Sequence, residues 1–205
     1  MLDLFEAIRE RRSVRKYQAR TVPNNLVEEI LAAAGWAPSA HNAQPWRYIV
    51  LTEAGVKREL AEAMAGAWAT DMAKDGLKIE AEMLSIRVER FANAPVLILA
   101  CLTMQGMNEF SDDKRMSVER DLAMQSLGAS LQNLLLAAHA KGLGACWFCA
   151  PGFCKNIVRR VMEIPEEVEP EGLIVMGYAA ENPPVPQRKM LYDYCFKNKW
   201  AIELG

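Results

Sequence analysis

The sequence predicts a helix-covered α/β sheet, and three observations carry that prediction. Four apolar runs, at 47–51, 96–101, 144–149 and 172–178, read as short strands, and those at 96–101 and 144–149 as buried ones. Segments with helical signals separate them. One of these, Met116–Gly142, is a long proline-free stretch in which no charge appears between Asp121 and Lys141.

The chain has 205 residues, 51% hydrophobic and 24% charged, enough for one domain with a substantial core. No repeat, low-complexity run or linker divides it. A net charge of −2 provides no global field for nucleic acid or an anionic membrane. The opening MLDLFEAIRERRSVRKY carries its charges after its apolar residues and reads as an amphipathic helix, not a secretion signal. Five cysteines without such a signal make reduced thiols in a cytoplasmic protein the expectation.

In chain order, Asp3 is placed to cap a helix over Leu4–Arg11, with Glu6 completing a capping-box-like pair and Leu4, Phe5 and Ile8 as its apolar face. Arg9, Arg11 and Arg12 lie where the helix dipole favours cations. The run Arg11-Arg12-Ser13-Val14-Arg15 therefore has a bland reading, a solvated helix end. It also has a sharp one, guanidinium forks and a hydroxyl suited to a phosphate monoester. Pro23 and Asn24 or Asn25 start a second helix, Leu26–Gly35, with Leu26, Ile30 and Leu31 inward. The loop from Ala37 to Trp46 is built of ordinary turn formers. Yet Ser39, Asn42 and Gln44 crowd amide and hydroxyl groups beside Trp46, a set that suits the polar edge of a planar heterocycle.

Glu53–Lys74 and Leu77–Phe91 read as helices, the second with Ile79, Met83, Ile86 and Phe91 inward. Met104–Arg115 has no clear period. The long helix has Ser111 or Asp112 as its cap signal and Gly142 as a left-handed stop, and would be roughly 40 Å long. Val118, Leu122, Met124, Leu127, Leu131 and Leu134 to Leu136 predict burial nearly all round. Gln125, Ser126, Ser130, Gln132, Asn133 and His139 interrupt it too often for a membrane span. Pro151-Gly152 opens a helix through Met162, stopped by Pro165. The tail from Asn182 carries three prolines, Arg188-Lys189, then Tyr192, Tyr194, Phe196 and Trp200. Such a tail cannot bury those aromatics on itself, so a neighbouring subunit is the expected cover.

Cys146 and Cys149 have C-x-x-C spacing, but residues three apart on a strand face opposite ways, so no metal site is expected. His41 and His139 are the only histidines, and neither is tied by sequence to a serine or cysteine nucleophile. Gly142-Leu143-Gly144-Ala145-Cys146 lacks the spacing of a dinucleotide or phosphate loop.

Taken together, Arg11-Arg12-Ser13-Val14-Arg15, Ala37-Pro38-Ser39-x-x-Asn42-x-Gln44-Pro45-Trp46, Gly142-Leu143-Gly144 after the long helix, Gly177-Tyr178 and Arg188-Lys189 resemble the nitroreductase family of flavin enzymes across essentially the whole chain. The Ala40-His41-Asn42 loop, the Cys146-Trp147 step and the region Trp68–Gly76 look most like the reductase module of deazaflavin-cofactor biosynthesis. The resemblance implies an α+β three-layer fold: a central, mostly antiparallel or mixed sheet, helices on both faces and a long buried helix. It implies one domain over 1–205, with the tail from about 182 packing on the partner of a homodimer that binds FMN at its interface. Arg11, Arg12, Ser13 and Arg15 would hold the phosphate and ribityl chain, with Arg188 or Lys189 adding a cation. Pro38, Ser39, Ala40 and Asn42 of the other subunit would line the flavin ring, and Gln44 its polar edge. The turn at Cys149–Gly152 would face flavin N5. Pro151 has no N–H to offer there, which leaves the backbone of Ala150 or Gly152. No side chain is then required as acid or base. The implied activity is ping-pong hydride transfer from NAD(P)H to a nitroaromatic, quinone, enone or deazaflavin precursor. A non-catalytic flavin-binding protein and a zinc- or thiol-based protein are the competing classes.

Overall fold

The computed structural model describes residues 3–204. Its helices are α1 (Leu4–Glu10), α2 (Asn24–Gly35), α3 (Ala54–Lys74), α4 (Ala81–Ala92), α5 (Asp113–Ala140) and α6 (Lys155–Val161). Its strands are β1 (Trp46–Leu51), β2 (Val96–Thr103), β3 (Gly144–Phe148) and β4 (Val168–Gly177). They form one sheet in the order β1-β2-β4-β3, antiparallel at every pairing. The fold is α+β, with helices on both faces of an antiparallel sheet.

Strand β2 explains why two faces can be covered. Every residue of VLILACLT is buried. Val96, Ile98, Ala100 and Leu102 point into a core with α2 and α5. Leu97, Leu99 and Cys101 point the other way, into a core with α3, α4 and α6. The two-residue period of a strand thus feeds two helical layers from one uniformly apolar run. Strand β4 repeats the device, with Ile174 and Met176 on the first face and Leu173 and Val175 on the second. The β2–β4 register shifts so that Ala100 faces Gly172 while Cys101 faces Pro170, leaving Glu171 as a bulged residue. Pro170, which has no N–H for the ladder, falls at this irregularity.

Helix α5 starts three residues earlier than its apolar pattern suggests. Asp112 caps it by accepting from Arg115 N at 3.0 Å, and the first turn is charged and so invisible to a hydrophobic reading. Its end is a Schellman stop. Gly142 has φ +77°, Gly142 N–H donates to His139 O and Leu143 N–H to Ala138 O, both at 2.9 Å. Burial all round is corrected to burial on one broad stripe. Ala123, Leu127, Leu131, Leu134, Leu135 and Ala138 are covered by α2 and the sheet, whereas Asp121, Gln125 and Gln132 are exposed.

Other expectations are also adjusted. Asp3 makes no side-chain cap bond, and only Ala7 of α1 is buried; Leu4, Phe5 and Ile8 face outward. In α4 only Phe91 and Ala92 are buried, while Met83 and Ile86 are exposed and Ile79 precedes the helix. In both helices the periodicity marks an apolar face that the described residues do not cover. Residues 150–153 form a separate 3-10 turn ahead of α6, which ends at Val161. Among the described residues no helix is long and apolar enough to cross a membrane.

Candidate functional site

Residues 13–17 run along the free edge of β3. Ser13 makes a parallel bridge to Ala145, Val14 N–H donates to Ala145 O at 3.1 Å, and Tyr17 Oη donates to Val175 O at 3.0 Å. Gly144 makes this contact possible, because a Cβ there would sit 2.7 Å from Val14 Cβ. Beyond Tyr17, the chain pairs with residues 178–180, which brings the tail alongside.

This arrangement opens a cleft of about 230 Å³ lined by Arg11, Arg12, Val14, His139, Gly142–Ala145, Glu181 and neighbouring residues. Arg11 is its centre. Its Nε is buried without a hydrogen-bond partner among the described residues. Burial, then the positive charges of Arg188 and Arg12, lower the Arg11 pKa from its ordinary value. The tail thus places Arg188 close enough to Arg11 to repel it. Arg12 Nη1 donates to Arg9 O at 2.6 Å and Arg11 O at 2.8 Å, closing the end of α1. Arg12 thus ties down the helix end while also lining the cleft, and Arg11 faces the cleft. Arg15 is exposed, its N–H donating to Glu181 Oε1 at 2.6 Å, and Lys189 is exposed.

The loop 38–45 lies elsewhere. His41, Asn42 and Gln44 have φ of +57°, +53° and +48°, left-handed values that cost non-glycine residues about 1 kcal/mol or more each. One local and one distant bond hold the strain: Gln44 N–H donates to Ser39 Oγ at 3.0 Å, and Ala40 N–H to Ser126 Oγ of α5 at 3.1 Å. A buried carboxylate completes the hold. Glu119 on α5, its side chain 6% exposed, accepts from His41 Nε2 at 3.1 Å and from Asn108 N–H at 3.2 Å. Sequence reading missed Glu119 and Asn108, because 78 residues separate His41 from its partner. The one local signal was the charged triplet Glu119-Arg120-Asp121 just before the uncharged stretch of α5. Asn42 and Gln44 line a shallow cleft with Trp36, and Pro38 is exposed beside it.

A third region surrounds the 150–153 turn. Gly152 N–H donates to Cys149 O at 3.1 Å, so that donor is engaged, whereas Ala150 N–H has no partner among the described residues. Behind the turn stands an ion network. Arg120 Nη2 meets Glu169 at 2.6 Å and Glu171 at 3.0 Å, and Lys155 Nζ meets the same pair at 2.7 and 2.5 Å. Burial alone would raise the Glu169 pKa, but the hydrogen bonds from Lys155 and Arg120 outweigh it and hold it low. In front of the turn, Ala150, Cys149, Phe153, Met64, Trp68 and Phe91 wall a cleft of about 440 Å³. Cys149 is exposed and Cys146 is buried in β3, with burial pushing its thiol pKa up.

The basic cleft, the Asn42–Gln44 cleft and the cleft at the turn share no lining residue within one chain. The structure gathers Arg11, Arg12 and Arg188 but leaves the 38–44 loop apart from them.

With this geometry in view, the chain belongs to the nitroreductase family, whose model matches residues 8–178. A Methanothermobacter thermautotrophicus protein provisionally named NADH dehydrogenase/NAD(P)H nitroreductase is 35% identical over 185 residues, spanning 89% of this chain and 80% of that protein. A BluB-like flavoprotein from Clostridium difficile 630 shares the fold with a TM-score of 0.80 at 22% identity, covering 97% of this chain and 100% of its own. A Desulfovibrio desulfuricans protein provisionally named nitroreductase, crystallised in complex with FMN, has 27% identity and a TM-score of 0.72, with 96% of each chain covered. The family is one of oxidoreductases.

Proposed function

We propose that this chain is an FMN-dependent oxidoreductase that takes electrons from NAD(P)H and delivers them to a small oxidised acceptor, acting as a homodimer. The observation that carries the reading is Arg11: a buried, unpartnered guanidinium Nε among further cations, in a cleft of its own. Glu10 and Glu181 also line the cleft, yet among the described residues neither Arg11 nor Arg12 forms an ion pair with a carboxylate; guanidinium groups left in this way are matched by a dianionic phosphate monoester, so the residues present fit the phosphate of FMN.

Arg11, with Arg188 beside it, would hold that phosphate; Ser13 and Arg15 would flank the ribityl chain, and Lys189 is a further cation within reach of the tail. Pro38, Ser39, Ala40, Asn42 and Gln44 would meet the ring from the partner subunit, consistent with their separation from Arg11 in one chain. Ala150 offers the free backbone N–H at the turn, and Pro151 and Gly152 shape it. When bound, FMN would supply the redox chemistry, a ping-pong transfer of electrons from NAD(P)H to the acceptor. The protein's part is to bind, orient and exclude water, which needs no acid–base side chain.

The homodimer is supported by surfaces left open: the α1 face of Leu4, Phe5 and Ile8, the outer stripe of α5 with Gly128, and the exposed tail aromatics Tyr192, Tyr194 and Trp200. An absorbance spectrum of the purified protein tests the core of this reading. Flavin bands near about 370 and 450 nm, bleached anaerobically by NADH or NADPH, are expected; a colourless protein that FMN cannot reconstitute would refute it. Sedimentation tests the assembly, and a fully loaded, active monomer would overturn that part.

A further inference from the structure

Between α3 and α4, in front of the 150–153 turn, the cleft of about 440 Å³ is walled by Met64, Trp68, Met72, Phe91 and Phe153. That volume falls within the usual range for small-molecule sites, and so does the pattern of apolar walls with few polar groups. One cation stands in it. Arg87 lays its Cζ 3.5 Å from the centroid of the Trp68 ring. Among the described residues, Arg87 makes no ion pair and no side-chain hydrogen bond. The same two helices show what a satisfied arginine looks like here: Arg58 grips Glu89 with both Nη atoms, at 2.8 and 3.2 Å. Asp71, the carboxylate in the cleft wall, is held instead by Lys74 at 2.7 Å. Trp68 supplies a π face but no acceptor in the plane of the guanidinium, so the Arg87 fork remains unfilled.

We propose that this cleft is the acceptor site and that it selects planar aromatic compounds bearing a carboxylate, with Arg87, seated on Trp68, gripping the carboxylate and Met64, Phe91 and Phe153 walling the ring. The inference rests on the oxidoreductase reading above and names the substrate class for it. A guanidinium seated on an aromatic ring is positioned before a ligand arrives, and its fork suits a bidentate carboxylate. The far end of such a ring then lies toward Cys149 and Ala150, where the unengaged N–H is. For a nitroarene, reduction to the nitroso compound consumes one NAD(P)H and one proton and releases one water, with no further reactant.

The test pairs two acceptors of equal size, 4-nitrobenzoate and 4-nitrobenzyl alcohol, with FMN-loaded wild type and Arg87→Gln. Wild type is expected to favour the benzoate in kcat/KM. Arg87→Gln is expected to lower that preference about 10- to 100-fold, the worth of a charge-assisted pair. Arg87→Lys keeps the charge without the fork and should fall between. Benzoate titrated calorimetrically gives a readout independent of turnover, with binding lost in Arg87→Gln and FMN content unchanged. An unaltered acceptor preference in Arg87→Gln overturns the proposal. Loss of FMN in that variant does so too, since it would place the flavin itself in this cleft. If the wild type holds no flavin, the oxidoreductase reading fails, and benzoate binding to the colourless protein still decides the cleft.

Discussion

The two ends of α5 are built on different physics. From Ala123 to Ala138 the helix is held by packing, with Leu127, Leu131 and Leu134 at most 2% exposed. Two buried serines interrupt it, Ser126 and Ser130. Ser130 donates to Ala34 O and accepts from Tyr48 Oη, both at 2.7 Å, and burial pushes the Tyr48 pKa up to about 12. Toward the N-terminus the helix is held by charge. Glu119 anchors His41 and Asn108, and Arg120 joins Lys155 in gripping Glu169 and Glu171. The packed end adjoins the basic cleft through Leu135 and His139; the charged end reaches the strained loop and the network behind the 150–153 turn. The lesson is a division of labour. One end supplies stability that is indifferent to pH and salt, and the other fixes loop geometry through interactions that both conditions can weaken.

The contrast can be broken from either side. Leu131→Ala should cost about 2–5 kcal/mol of unfolding free energy, read from the urea midpoint, with little dependence on salt. Arg11→Ala lies beyond the packed end, in the cleft. It should weaken FMN by about 1.5–3 kcal/mol while leaving riboflavin affinity nearly unchanged, measured by flavin fluorescence quenching; equal losses would mean that Arg11 does not touch the phosphate. Glu119→Gln keeps the shape and removes the charge at the other end. A loss of about 1–2 kcal/mol is expected, with faster amide exchange confined to residues 38–45 and 108. Unchanged exchange there would remove Glu119 as the anchor of the loop.

The smallest effect belongs to Glu169, whose side chain is 31% exposed and therefore screened. Its folded pKa lies below its unfolded one, so its stabilisation is present above the unfolded value of about 4.3 and is lost as pH falls through the folded value. Glu169→Gln should cost under about 1 kcal/mol at neutral pH. Its urea midpoint should converge on the wild-type value as pH drops below about 4, and also at high salt.

What the sequence disclosed follows the same divide. The apolar stretch of α5, the four strands and the basic run at 11–15 were legible because their signals are local: periodicity, uniform hydrophobicity, adjacent charges. The Glu119–His41 contact, the left-handed conformations of His41, Asn42 and Gln44 and the Glu171 bulge were not, since each depends on distant segments meeting. Met83, Ile86, Leu4 and Phe5 show a further limit. Periodicity identifies a greasy face but does not say which molecule covers it.

The close approach at Gly144 gives the basic cleft an unusual dependency. The position of the 11–15 segment is set by the Val14 side chain resting against the bare Cα of Gly144, where a methyl group at residue 144 would have to go. The cations inherit their alignment from that contact as type inherits its line from the spacer beneath it. A single methyl group, Gly144→Ala, would therefore push the whole Arg11–Arg15 row off the sheet edge by a few tenths of an ångström or more, altering the grip on an anion without changing any charge.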